Sequence, residues 1–142
     1  MPIRNGYAVW EGDLPTGKGQ MKLERSAFEG NYSFSSRFEN GMGTNPEELI
    51  ATAHAGCFSM AFANGLAQAG FTPKRIQTNA KVNLEKVGDG YQITTIDLNT
   101  QAEIANIEES KFLELAENAK KNCPVSKLVT GAEVQVHASL VK

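Results

Sequence analysis

The chain has 142 residues, 41% hydrophobic and 21% charged, with a net charge of −2. That length suits one domain with a real core, residues 1–142, and the charge gives no electrostatic reason to expect nucleic acid or an anionic membrane as partner. No secretory signal is read in the first dozen residues, and the longest apolar run, Phe58 to Ala69, is broken by Asn64, Gly65 and Gln68. A soluble cytoplasmic protein is the default expectation, and in a reducing cytosol a cysteine pair is more often catalytic, metal-binding or unpaired than structural. Taken in chain order, the first third reads as strands. Tyr7 to Glu11 alternates, and Gly12-Asp13-Leu14-Pro15-Thr16-Gly17 has turn chemistry. Gly19 to Arg25 and Tyr32 to Phe38 read as two further strands, turned at Glu29-Gly30-Asn31. After Gly41-Met42-Gly43, Thr44 or Asn45 can cap a helix with Pro46 at its first position; it runs to about Ala69 and stops at Gly70. Strands at Arg75 to Lys86 and Tyr91 to Glu103 flank Val87-Gly88-Asp89-Gly90, where Asp-Gly signals a hairpin. Glu108 to Asn122 is an amphipathic helix carrying Phe112, Leu115 and Ala119 on one stripe, and Pro124 to Thr130 a short helix. Glu133 to Val141 closes the chain as an alternating strand.

The central helix is apolar nearly all round and covered with small residues: Ala51, Ala53, Ala55, Gly56, Ala61, Ala63, Ala67 and Ala69. Such a helix is expected to be buried, so two antiparallel sheets around it predict an α+β domain. Its small side chains also admit a close approach by a helix of another subunit.

Only two cysteines are present, Cys57 within the central helix and Cys123 before Pro124. Cys57 reads either as a small buried hydrophobe or as a nucleophile. A buried thiol is inert unless a cation lies close, and two cations are candidates. His54 lies three residues earlier on the same helical face, where it can alternatively bond a backbone carbonyl. Arg37, among the aromatic residues Tyr32, Phe34 and Phe38, is either a solvated strand residue or an anion-binding one. Glu47 and Glu48 suit the helix dipole, and one of them can also hold the Arg37 guanidinium in a bidentate pair. Cys123 is a plausible N-cap of the following turn, placed for a resolving thiol or with no role. A metal site from His54, Cys57, Cys123 and His137 matches no zinc spacing, and there is no phosphate loop or dinucleotide fingerprint, so neither metal nor cofactor is expected.

The runs Gly43-Thr44-Asn45-Pro46-Glu47-Glu48-Leu49-Ile50-Ala51, Ala53-His54-Ala55 and Cys57-Phe58-Ser59-Met60-Ala61 resemble the osmotically inducible protein C (OsmC) and organic hydroperoxide resistance group. So do Asn122-Cys123-Pro124-Val125-Ser126, Ala8-x-Trp10-Glu11-Gly12-Asp13 and Ser36-Arg37-Phe38-Glu39. Glu39 to Gly43 and His54 look nearer to OsmC proper. The resemblance implies an intertwined homodimer with long helices between two sheets, and a thiol peroxidase acting in oxidative or osmotic stress. By it, Cys57 is the peroxidatic cysteine, Cys123 the resolving one, Arg37 the activating cation and Glu47 the residue orienting it. The implied substrate is an organic hydroperoxide, with hydrogen peroxide a poorer one, and a small or protein dithiol, a lipoyl-type dithiol included, is the reductant. The competing expectation is a non-enzymatic, redox-sensing disulfide protein. Glu47 and Cys57 are ten residues apart, a rise of about 15 Å on an unbroken helix, which one guanidinium does not span. Either the helix breaks near Thr52 or Gly56, or the site is shared between subunits.

Overall fold

The computed structural model describes residues 2–25 and 27–141, which fall into two compact units, 1–49 and 50–142. In the first unit β1 (Gly6–Glu11), β2 (Lys18–Leu23) and β3 (Glu29–Tyr32) form an antiparallel sheet in that order. Asp13 closes the β1–β2 turn by accepting the Thr16 amide at 2.9 Å. The expected turn at Glu29-Gly30-Asn31 lies instead inside β3, where Gly30 pairs with Met21.

The expected strand Tyr32 to Phe38 is also corrected. β3 ends at Tyr32, and Phe34–Phe38 is a helical turn, α1. Ser33 is the cause. Its hydroxyl accepts the Ser36 amide at 3.1 Å while the Ser36 hydroxyl accepts the Ser33 amide at 2.9 Å, a reciprocal cap. The alternation that reads as a strand becomes an i,i+4 ring pair, Phe34 on Phe38 at 4.9 Å between centroids. Gly43, at φ 117, lets the chain turn back so that the Thr44 amide reaches the Asn31 carbonyl at 2.9 Å. Asn45 then caps α2 (Pro46–Gln68), accepting the Glu48 amide at 2.7 Å.

α2 runs without interruption through Thr52 and Gly56, so the expected alternative of a broken helix is excluded. It ends as the sequence indicates. Gly70, at φ 91, is the left-handed residue of a Schellman turn, with Phe71 N–H bonded to Leu66 C=O at 2.8 Å and Gly70 N–H to Ala67 C=O at 3.0 Å.

In the second unit β4 (Pro73–Val87) and β5 (Gly90–Ile104) form a long antiparallel hairpin whose two-residue loop is Gly88-Asp89 rather than Asp89-Gly90. β6 (Glu133–Val141) pairs with β5 in parallel, so this sheet, β4-β5-β6, is mixed and not purely antiparallel. The reason is the crossover between them, which carries α3 (Glu109–Asn122) and α4 (Pro124–Leu128). The core joins Phe58, Phe62 and Leu66 of α2 to Ile96, Leu98 and Ala102 of β5 and Phe112 and Ala116 of α3. Phe62 sits between Phe58 and Phe112, 5.6 Å from each ring. A polar seam crosses the same interface: Ser59 Oγ, Thr78 Oγ1 and Thr100 Oγ1 are linked at 2.8 and 3.0 Å.

The expectation of a wholly buried central helix is corrected too. From His54 onward every fourth residue of α2, namely His54, Phe58, Phe62 and Leu66, is buried, while Ala53, Gly56, Ala67 and Met60 are exposed, Met60 by 77%. By length and composition α2 also qualifies to cross a membrane, a test that the 58–69 run alone does not meet. The fold is α+β, with two mostly antiparallel three-stranded sheets and one long helix.

Candidate active site

The four expected site residues form two pairs, one in each unit. In the first unit, Arg37 lies in α1 and Glu47 in the first turn of α2. Arg37 Nε donates to Glu47 Oε1 at 3.0 Å and Nη2 to Oε2 at 2.9 Å, a bidentate pair. Glu47 is buried and Arg37 is more than a third exposed, with its guanidinium 5.2 Å from the Phe38 ring. Two contacts hold the frame of this pair. Ser36 Oγ donates to the Thr44 carbonyl at 2.7 Å, and Asn45 Nδ2 donates to the Ser36 carbonyl at 3.0 Å. The other acid, Glu48, faces Thr44, whose hydroxyl donates to it at 3.1 Å.

In the second unit, Cys57 projects from α2 and Cys123 stands at the junction of α3 and α4. Their sulfurs are 2.8 Å apart, and both are free thiols. Cys123 is fully buried and Cys57 half-buried. Pro124 occupies the first position of α4, as the Cys-Pro sequence indicates, but the Cys123 side chain makes no capping bond there. Burial is the main force pushing the Cys57 thiol up, and the Cys123 side chain adds to it. The Val125 backbone N–H donates to the Cys57 sulfur and pulls the other way, without reversing the balance. Within this unit the Cys57 thiol therefore stays protonated at neutral pH.

His54 is not the cation that the sequence offers as one candidate. It is fully buried, and burial holds its pKa below the ordinary histidine value, so the ring is neutral near pH 7. Nor does it bond a carbonyl among the described residues: Nε2 lies 2.7 Å from Ser126 Oγ, on α4, and Nδ1 has no hydrogen-bond partner among them. Ser126 and the Val125 amide are the residues that sequence reasoning passes over. His137 lies on β6 with Nε2 3.8 Å from Asp97 Oδ1, and no cluster of three potential metal ligands exists among the described residues.

Cys57 opens on a groove of about 750 Å³ lined by Met60, Ala61, Lys111, Leu115 and Asn118 among others. Met60, three residues after Cys57, is among the side chains lining this groove. Phe58 is turned fully into the core, and Leu49 lines a separate pocket with Met21 and Phe28 in the first unit.

A model of the OsmC-like protein family matches residues 39–138. The peroxiredoxin OsmC of Escherichia coli (strain K12) is 46% identical over 127 residues, covering 89% of this chain and 89% of its own. The chain belongs to the OsmC-like family. An organic hydroperoxide resistance protein-like relative from Staphylococcus aureus (strain USA300) is 32% identical over 95 residues, 65% of this chain and 66% of its own. The fold also agrees with family structures: that of an organic hydroperoxide resistance protein OsmC from Legionella pneumophila superposes with a TM-score of 0.72 at 19% identity, covering 98% of this chain and 99% of that one.

Proposed function

We propose that this protein is a cysteine-based peroxidase that reduces organic hydroperoxides to alcohols in a cellular stress response. The observation that carries the reading is the free Cys57–Cys123 pair, 2.8 Å apart, with Cys57 on an open groove and Cys123 behind it. The names of the relatives, a peroxiredoxin and organic hydroperoxide resistance proteins, support the same chemistry. The Cys57 thiolate attacks the distal peroxide oxygen; the O–O bond breaks, the alkoxide leaves and takes a proton as alcohol, and Cys57 becomes a sulfenic acid. The Cys123 sulfur then attacks the Cys57 sulfur, hydroxide leaves and is protonated to water, and a disulfide forms. An external dithiol, a lipoyl-type one included, returns both thiols and is itself oxidised.

Because burial holds Cys57 protonated, the reaction needs a cation, and Arg37 is our candidate. Glu47 fixes its guanidinium fork so that the remaining N–H groups face the thiolate and the peroxide. With α2 unbroken, a site completed across two subunits of a homodimer is the arrangement we favour. The exposed small-residue faces of α2, and Met60 among them, support a second copy as their cover.

Peroxide consumption by the pure protein with excess dihydrolipoamide or dithiothreitol tests the function. Sustained turnover of an organic hydroperoxide, lost in Cys57→Ser, is the expected result. Consumption that stops after one equivalent despite abundant dithiol would instead describe a redox-sensing disulfide.

A further inference from the structure

His54 and Ser126 form a second link between the same elements that carry the two thiols. His54 is three residues before Cys57 on α2, and Ser126 three residues after Cys123 on α4. Their 2.7 Å contact thus lies within a helical turn of the 2.8 Å approach of the sulfurs, on both sides. Two side-chain contacts therefore fasten α4 and its N-cap residue Cys123 to one turn of α2.

The energetics of His54 point the same way. The ring is fully buried one helical turn from the core residue Phe58, and its Nδ1 finds no partner among the described residues. A leucine there would fill a similar volume with no polar group to desolvate. A buried imidazole with one unsatisfied nitrogen is costly, and the Ser126 hydroxyl is its single side-chain hydrogen-bond partner among the described residues. α4 itself is only five residues long, Pro124–Leu128, with no buried residue. So short a turn has little stability of its own and depends on tertiary contacts for its position.

We propose that His54 and Ser126 are positioning residues that hold the α4 turn, and with it Cys123, against Cys57, so that closing of the disulfide outruns overoxidation. This rests on the peroxidase reading above, which gives the disulfide its purpose. The step it governs is the second one: the Cys123 sulfur displaces hydroxide from the Cys57 sulfenic acid, and water and the disulfide result. The competing step uses a second peroxide, which converts the sulfenic acid to sulfinic acid and releases alcohol. Releasing the tether leaves the sulfenic acid exposed to the second peroxide for longer.

The test compares wild type with Ser126→Ala and Ser126→Thr, where threonine keeps the hydroxyl. The first readout needs no peroxide: in a glutathione redox buffer, two thiols and oxidised glutathione exchange with the protein disulfide and two reduced glutathiones. Ser126→Ala is expected to shift this equilibrium about tenfold toward the open thiols, the order that one buried hydrogen bond is worth, with Ser126→Thr restoring it. The second readout is the cumene hydroperoxide concentration at which half of Cys57 becomes sulfinic acid, read by mass spectrometry. It should fall about tenfold in Ser126→Ala and return in Ser126→Thr. A general loss of stability moves neither the partition nor its rescue by threonine. If Ser126→Ala does not fold, His54→Gln and His54→Leu replace it, glutamine keeping a nitrogen at the Nε2 position and leucine not. Unchanged equilibrium and partition in the alanine or leucine variant overturns the proposal, as does a loss that the hydroxyl- or nitrogen-keeping variant fails to restore. A normal glutathione response in a wild type that cumene hydroperoxide does not oxidise sinks the peroxidase reading and leaves the tether standing.

Discussion

Single residues set the chemistry through charge and burial. The sequence makes Cys57 conspicuous but cannot say whether it is inert packing, because that depends on neighbours far along the chain. Its partner Cys123 is 66 residues away, and the His54–Ser126 contact spans 72. Such pairs have no local signature, so the thiol pairing was legible only through the family motifs, and the tether not at all. The Arg37–Glu47 pair was partly legible, since an arginine among aromatics demands an anion and Glu47 is nearby in sequence. On the account given, Arg37→Ala slows peroxide reduction by orders of magnitude at pH 7. Its rate goes on climbing through the alkaline range as the raised Cys57 thiol ionises, where wild type has already levelled off. Arg37→Lys recovers little of the loss, because it restores charge without the fork. A pH–rate profile for Arg37→Ala that overlays wild type would move the activating role elsewhere. His54 offers a second titration. Its folded-state pKa lies below its unfolded value of about 6.5, so the unfolded chain takes up the proton more readily. The stability from a neutral His54 is therefore full above pH 6.5 and is lost as pH falls through the lowered folded value. Melting temperatures between pH 7.5 and 5 should fall further for wild type than for His54→Gln; parallel curves would mean that His54 is not neutral and buried in solution.

At the scale of elements, legibility followed local chemistry. α2 was readable at both ends because Asn45, Pro46 and Gly70 act through neighbours one to five residues away. α1 was misread because Tyr32 to Phe38 alternates like a strand, and only the Ser33–Ser36 cap tips it into a helical turn. The direction of β6 is invisible in its own alternation, yet the helical connection that precedes it already favours a parallel partner. α2 was expected to be wholly buried because hydropathy does not count the surfaces available to cover it. One stripe is covered within the chain, and Phe62 is its centre, packed between two rings. Phe62→Ala should cost about 3–5 kcal/mol by leaving a cavity between α2 and α3. Denaturant unfolding measures this, and a loss under about 1 kcal/mol would show that the stripe is not the core contact described.

The whole molecule is where the exposed faces of α2 find their explanation. A helix with alanine and glycine on its open side, and Met60 mostly exposed, fits a close-packed homodimer rather than a solvated monomer. Light scattering at micromolar concentration should report twice the 15.4 kDa chain mass. On the arrangement proposed above, each site of that dimer would join the thiols of one subunit to the Arg37–Glu47 pair of the other. Mixing inactive Cys57→Ser with inactive Arg37→Ala under subunit exchange should then restore activity in the heterodimer. A verified heterodimer with no activity would put every site within one chain. The thiol chemistry itself is tested most directly by intact-mass analysis after an organic hydroperoxide has been added to reduced wild type and to Cys123→Ser. Wild type is expected to lose two hydrogens as the Cys57–Cys123 disulfide closes, and Cys123→Ser to gain two oxygens on Cys57 as sulfinic acid. The same oxidation state in both proteins would contradict a peroxidatic Cys57 resolved by Cys123.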